Sequence, residues 1–113
     1  MSDAVADDAA YEALQRILAD HAAVLAYFTG RDCGVCKVLK PKVLELLKSE
    51  FPHVHLFEVD CQAQPALAAR LGVLSVPTVV LYFDGREGAR FVRLFAIGDL
   101  RDALMRPYRL LFD

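Results

Sequence analysis

Residues 23 to 29, AVLAYFT, form an almost unbroken apolar run that stops at Gly30. Seven residues are too few for a membrane span, and the lack of alternation means that neither face of the strand is left to water. Such a strand belongs in the middle of a sheet with helices on both sides. After the segment RDCGVC, residues 36 to 50 place Leu39, Val43, Leu46 and Leu47 on one helical stripe and leave Lys37, Lys40 and Lys48 in solvent. Residues 53 to 60 (HVHLFEVD) then read as a second strand. Strand, helix and strand in succession make a parallel pair joined by a right-handed crossover.

The remaining chain fits around this unit. Residues 7 to 20 carry Leu14, Ile17 and Leu18 at helical spacing, with acidic residues at the start complementing the helix dipole. Pro41 should kink the second helix, because it has no N–H to donate and its ring crowds the carbonyl four residues back. Residues 65 to 71 read as a short helix stopped by Gly72. Residues 78 to 83 (TVVLYF) and 89 to 95 (ARFVRLF) flank Asp84 and Gly85, which predicts an antiparallel hairpin with a longer loop. A last helix starts near Gly98, buries Leu100 and Leu104, and should end at Pro107, leaving Tyr108, Leu110, Leu111 and Phe112 as an apolar tail. The order α, β, α, β, α, β, β, α defines an α/β fold with a four-stranded mixed sheet.

Composition narrows the function. With 113 residues, 56% of them hydrophobic and 25% charged, the chain reads as a single domain over 1–113 that needs neither metal nor crosslink to fold. A net charge of −2 with no basic run argues against a nucleic-acid partner. The opening MSDAVADDAA has three aspartates and no basic or long apolar stretch, so it does not read as a secretory signal. No apolar stretch reaches the roughly 18 residues of a membrane span. A cytoplasmic location with reduced thiols is expected, and three cysteines, an odd number, do not suit a secreted disulfide framework.

Chemistry is concentrated in Cys33, Gly34, Val35 and Cys36, where a strand gives way to a helix. A thiol at a helix N-terminus faces unpaired backbone N–H groups and the positive end of the dipole, and both favour the thiolate. Cys33 is therefore the expected nucleophile. Cys36, three residues on, lies one helical turn away, within disulfide reach and shielded, as a resolving thiol should be. Gly34 leaves the backbone open to a client. Arg31 and Asp32 beside Cys33 act in opposite directions on its acidity.

CGVC after the strand ending FTG, Lys37 directly behind Cys36, Pro41 eight residues after Cys33, and Ser75 to Thr78 (SVPT) before a strand together resemble the thioredoxin family over about residues 8 to 106. The resemblance implies a thioredoxin-like fold and a protein-disulfide reductase working through a Cys33/Cys36 dithiol–disulfide cycle without a bound cofactor. It implies disulfide-bearing client proteins as partners and an NADPH-dependent flavoenzyme reductase that recycles the pair. It also implies a cis bond between Val76 and Pro77, with the Val76 backbone open to pair with an extended client segment. Val35 joins this client surface.

Departures from the family pattern are equally specific. Asp32 stands where the family carries Trp, and Val35 where it carries Pro. Tyr27 replaces a buried acid that serves the resolving thiol, and Leu56 replaces the lysine that accompanies that acid. Deprotonation of Cys36 would then run through water or through Glu58, which alternation puts on the same strand face as Leu56. Phe95 is expected where the family keeps a glycine, narrowing the client groove.

Other readings stand beside this one. A zinc site would need Cys61 and His53 or His55, and no second CxxC or HxxxH spacing supports it. His53 and His55, as i and i+2, are expected on one strand face as surface residues. Cys61 ends a strand parallel to the one delivering Cys33, so it reads as a small buried hydrophobe or as a secondary thiol at the same sheet edge. A thioredoxin-like binding or assembly module with a vestigial or sensory dithiol is the alternative to an enzyme.

Overall fold

The computed structural model describes residues 3–113, with side-chain surroundings from Asp8 onward. The elements are α1 (Asp3–Asp20), β1 (Ala23–Thr29), α2 (Gly34–Glu50), β2 (His55–Asp60), α3 (Pro65–Arg70), β3 (Thr78–Phe83), β4 (Arg86–Val92) and α4 (Ile97–Phe112). They follow the expected order. The sheet runs β2-β1-β3-β4, with β1 parallel to β2 and antiparallel to β3, and β3 antiparallel to β4. β1 is internal, as its unbroken apolar run requires.

Because side chains alternate across a strand, β1 supplies two cores. Ala23, Leu25 and Tyr27 pack with Leu39, Val43 and Leu47 of α2 and with Leu100, Leu104 and Tyr108 of α4. Val24, Ala26 and Phe28 pack with Leu14 and Leu18 of α1 and Leu67 and Ala68 of α3. α3 closes on Gly72, whose φ of 72° suits glycine. There the Val73 N–H bonds the Ala68 carbonyl at 2.8 Å and the Gly72 N–H bonds the Ala69 carbonyl at 3.0 Å, a Schellman closure. Arg90 reinforces it by donating to the Leu71 and Gly72 carbonyls at 2.9 and 3.1 Å.

Four expectations about boundaries need correction. β4 spans Arg86–Val92, three residues earlier than the 89–95 read from the sequence, because Asp84 and Gly85 form a two-residue turn with φ of 51° and 80° and not a longer loop. A bulge between Leu81 and Tyr82 absorbs one residue, and left-handed φ at Arg93 (59°) ends the pleat, so Phe95 lies beyond the strand. α4 runs through Pro107 to Phe112, held there by Tyr108, which packs edge-on against Phe51 at 5.1 Å and accepts the His53 N–H at 3.1 Å. Tertiary contacts outweigh the hydrogen bond that Pro107 removes. Finally, His53 and His55 do not share a strand face. Val54 N–H bonds the Phe51 carbonyl in a turn, β2 starts only at His55, and the rings part company: His53 stacks on Phe112 at 5.2 Å, His55 on His21 at 4.0 Å.

Candidate active site

Cys33 is the N-cap of α2, in extended conformation, and its Sγ accepts the Cys36 backbone N–H at 3.1 Å. The sulfur thus takes the place that a Ser or Asp oxygen fills at other helix starts. Cys33 and Cys36 are joined as a disulfide, with Cα atoms 5.2 Å apart. Their surroundings differ. Cys33 is half-buried whereas Cys36 is 2% exposed, so an incoming sulfur can reach the first and not the second.

Beneath Cys36 sits Tyr27, itself 1% exposed, whose hydroxyl donates to the Cys36 carbonyl at 2.8 Å. Burial, assisted by the negative charge of Glu58, pushes the Tyr27 pKa up to about 12, so the hydroxyl keeps its proton and stays a donor. Glu58 lies opposite Tyr27 in the β1–β2 register and is held by the Lys40 ammonium at 2.8 and 3.0 Å. Lys40 sits one turn beyond Cys36. A carboxylate therefore stands on the α2 side of the sheet, one strand away from the usual family acid, as the spacing of Leu56 and Glu58 suggested.

The Val76–Pro77 bond is cis. Its loop is pinned by Thr78 Oγ1, which donates to the Ser75 carbonyl at 2.7 Å, and by the Arg93 N–H, which donates to the Pro77 carbonyl at 2.7 Å. Among the described residues, the Val76 N–H and carbonyl have no backbone partner. A cavity of about 210 Å³ brings Gly30, Arg31, Asp32, Cys33, Gln62 and Val76 together, and Cys61 opens into it. Sequence spacing placed Cys61 at this sheet edge; its side chain is half-buried, and burial with the neighbouring Asp60 charge raises its pKa.

Val35 and Phe95 meet in a second groove of about 200 Å³ between α2 and the segment after β4. Gly34 is exposed, and nothing lies within 4 Å of where a Cβ would be. Phe95 leans on the α2/α4 core and on Phe91, 5.2 Å away, and the backbone conformation that suits glycine falls at Arg93, two residues earlier. That position, unreadable from side-chain pattern, became visible only through φ. Among the described residues, no group of three or more His, Cys, Asp or Glu side chains is arranged to hold a metal ion.

A half-buried sulfur capping a helix, bridged to a fully buried one and set beside a cis-proline loop on a mixed four-stranded sheet, defines a thiol–disulfide oxidoreductase. Residues 4–104 match the family model described as thioredoxin, and the chain belongs to the thioredoxin family. It is 45% identical over 71 residues to a thioredoxin of Chlamydia muridarum, covering 63% of this chain and 69% of that one. Among solved structures it resembles a thioredoxin variant from Halobacterium salinarum (TM-score 0.74, 34% identity, 84% of this chain and 81% of that one). Fasciola hepatica thioredoxin is similarly close (TM-score 0.74, 31% identity, 88% and 92%). Membership brings disulfide-bearing client proteins and a reductase as partners. No helix of the described residues is long and apolar enough to cross a membrane.

Proposed function

We propose that residues 1–113 act as one catalytic unit that reduces client disulfides, with Cys33 attacking and Cys36 resolving. The Cys33 thiolate displaces one client sulfur, which leaves as a thiolate, and a Cys33–client mixed disulfide forms. The Cys36 thiolate then attacks Cys33 Sγ, the second client sulfur leaves, and Cys33–Cys36 is left oxidised by two electrons. An NADPH-dependent flavoenzyme returns those electrons in the cytoplasm, and no cofactor stays on the chain. The Val76 backbone pairs with an extended client segment while Gly34, Val35, Pro77 and Phe95 shape the surface around it.

The observation that carries this reading is the asymmetry of the two sulfurs. Only the accessible one is positioned at a helix N-terminus with a donor on it, where a thiolate is stabilised. Tyr27 does not take the Cys36 proton, because its hydroxyl already donates and is too weak an acid to exchange at neutral pH. Glu58, facing it across the register, is the acceptor we assign, reached through water.

Substitution separates the roles. Cys36→Ser should trap clients as mixed disulfides on Cys33, and Cys33→Ser should trap none; equal trapping by both would overturn the assignment. Reduction of insulin disulfides by the dithiol form tests the activity itself. If insulin stays oxidised and Cys33 titrates like an ordinary thiol, the chain is a binding or assembly module with a vestigial or sensory dithiol.

A further inference from the structure

The groove between α2 and the segment after β4 begins at the disulfide, since Val35 sits between the two cysteines. Its apolar walls are unusually open for residues of their kind: Val35 is 39% exposed, Val38 62% and Leu94 79%. Surface of this type next to a reactive centre marks a place where a partner is received. Its wall is also rigidly tied to the site, because the Arg93 N–H is bonded to the Pro77 carbonyl.

Charge then says what kind of partner. Among the described residues, Lys42 and Arg93 are the only charged ones lining the groove, and both are cations. Lys40, on the same helix as Lys42, binds Glu58, and Arg90, three residues before Arg93, binds Glu87. Among the described residues, Lys42 and Arg93 make no ion pair. Arg31 and Lys37 are exposed beside the disulfide as well, opposed by exposed Asp32 and half-buried Asp60. The active face is therefore locally basic on a chain whose net charge is −2.

We infer that this groove selects clients in which the attacked cysteine is flanked by an apolar residue and a carboxylate. The apolar side chain lies between Val38 and Leu94, and the carboxylate is received by Lys42 and Arg93. Lys42 is nine residues beyond Cys33, about 13 Å along the helix, which places the acid about four residues from the client cysteine in an extended segment. The inference rests on Cys33 being the sulfur that meets clients.

The test uses three peptides of one length, each with a central cysteine linked to mercaptoethanol. Leucine stands two residues from the cysteine and a Glu, Gln or Lys pair three and four residues from it, on both sides. Reduction by the dithiol protein at low ionic strength should be about tenfold faster for the Glu peptide than for the Lys peptide. The ratio should collapse towards one near half-molar salt, where screening is complete within a few ångströms. The double variant Lys42→Glu/Arg93→Glu should invert it, and thermal denaturation confirms that the variant is folded. Equal rates for the three peptides, or a ratio that survives charge reversal, overturn the inference while leaving the dithiol cycle intact. Should no peptide be reduced, titration of the Ser-for-Cys peptides by amide NMR still decides. Glu-selective shifts at Lys42 and Leu94 support the groove and count against the cycle; shifts indifferent to charge reject the groove too.

Discussion

The two faces of β1 are built from one run of apolar residues and have different duties. Val24, Ala26 and Phe28 meet α1 and α3 in a core of hydrocarbon and aromatic contacts. Ala23, Leu25 and Tyr27 meet α2 and α4, and the last of them reaches the active helix through its hydroxyl. The α1/α3 face holds the strand in place, and the α2/α4 face holds the disulfide in place. Truncating Phe28, which is 0% exposed, should break the first alone. Phe28→Ala is expected to cost about 3–5 kcal/mol, read as a lowered urea midpoint, because it opens a cavity that close-packed neighbours fill only in part. Folded Phe28→Ala protein should keep the wild-type ratio of trapping between the two cysteine variants.

Tyr27→Phe tests the opposite face with a smaller structural change. The ring still fills its site, but the Cys36 carbonyl loses its donor, at a cost of about 1 kcal/mol. Stability is the lesser readout. Freed of the hydroxyl, the first turn of α2 shifts under Cys36, so the lifetime of the mixed disulfide, followed by quenched-flow trapping, should change more than the rate of its formation at Cys33. Equal changes in both steps would mean that Tyr27 merely fills space.

Much of this division was legible in the residues. An apolar run without alternation required a doubly covered strand, and CxxC at its exit placed a helix cap and its partner one turn apart. The cis bond at Pro77 followed from the resemblance to the thioredoxin family, and the place of Cys61 from order along the chain. What the letters concealed was set by backbone and tertiary geometry. Glycine is the usual marker of left-handed φ, so Arg93 hid the end of β4 and drew attention to Phe95 instead. Pro107 reads as a stop, yet Tyr108 is buried one residue later and carries the helix onward. Tyr27 counted as the loss of an acid; its hydrogen bond to Cys36 depends on the depth of α2, which spacing does not encode.

The smallest effect is expected at the far end of β1, where His55 pairs in register with Val24 and stacks on His21. Burial, and then the neighbouring His21, lower the His55 pKa from its ordinary 6.5. The unfolded chain therefore binds this proton more tightly than the folded one, and stability must fall as pH drops through 6.5. The loss levels off once pH is below the folded value, and above about pH 7.5 the histidine contributes nothing to the slope. His55→Gln keeps a polar ring-sized side chain without the charge, so urea midpoints measured from pH 5 to 8 should flatten relative to wild type, by less than the loss from Tyr27→Phe. An unchanged slope would place the pH dependence elsewhere. A slope of opposite sign in wild type would mean that the charged ring is welcomed at this end of the strand, and that the His21 stack favours the imidazolium.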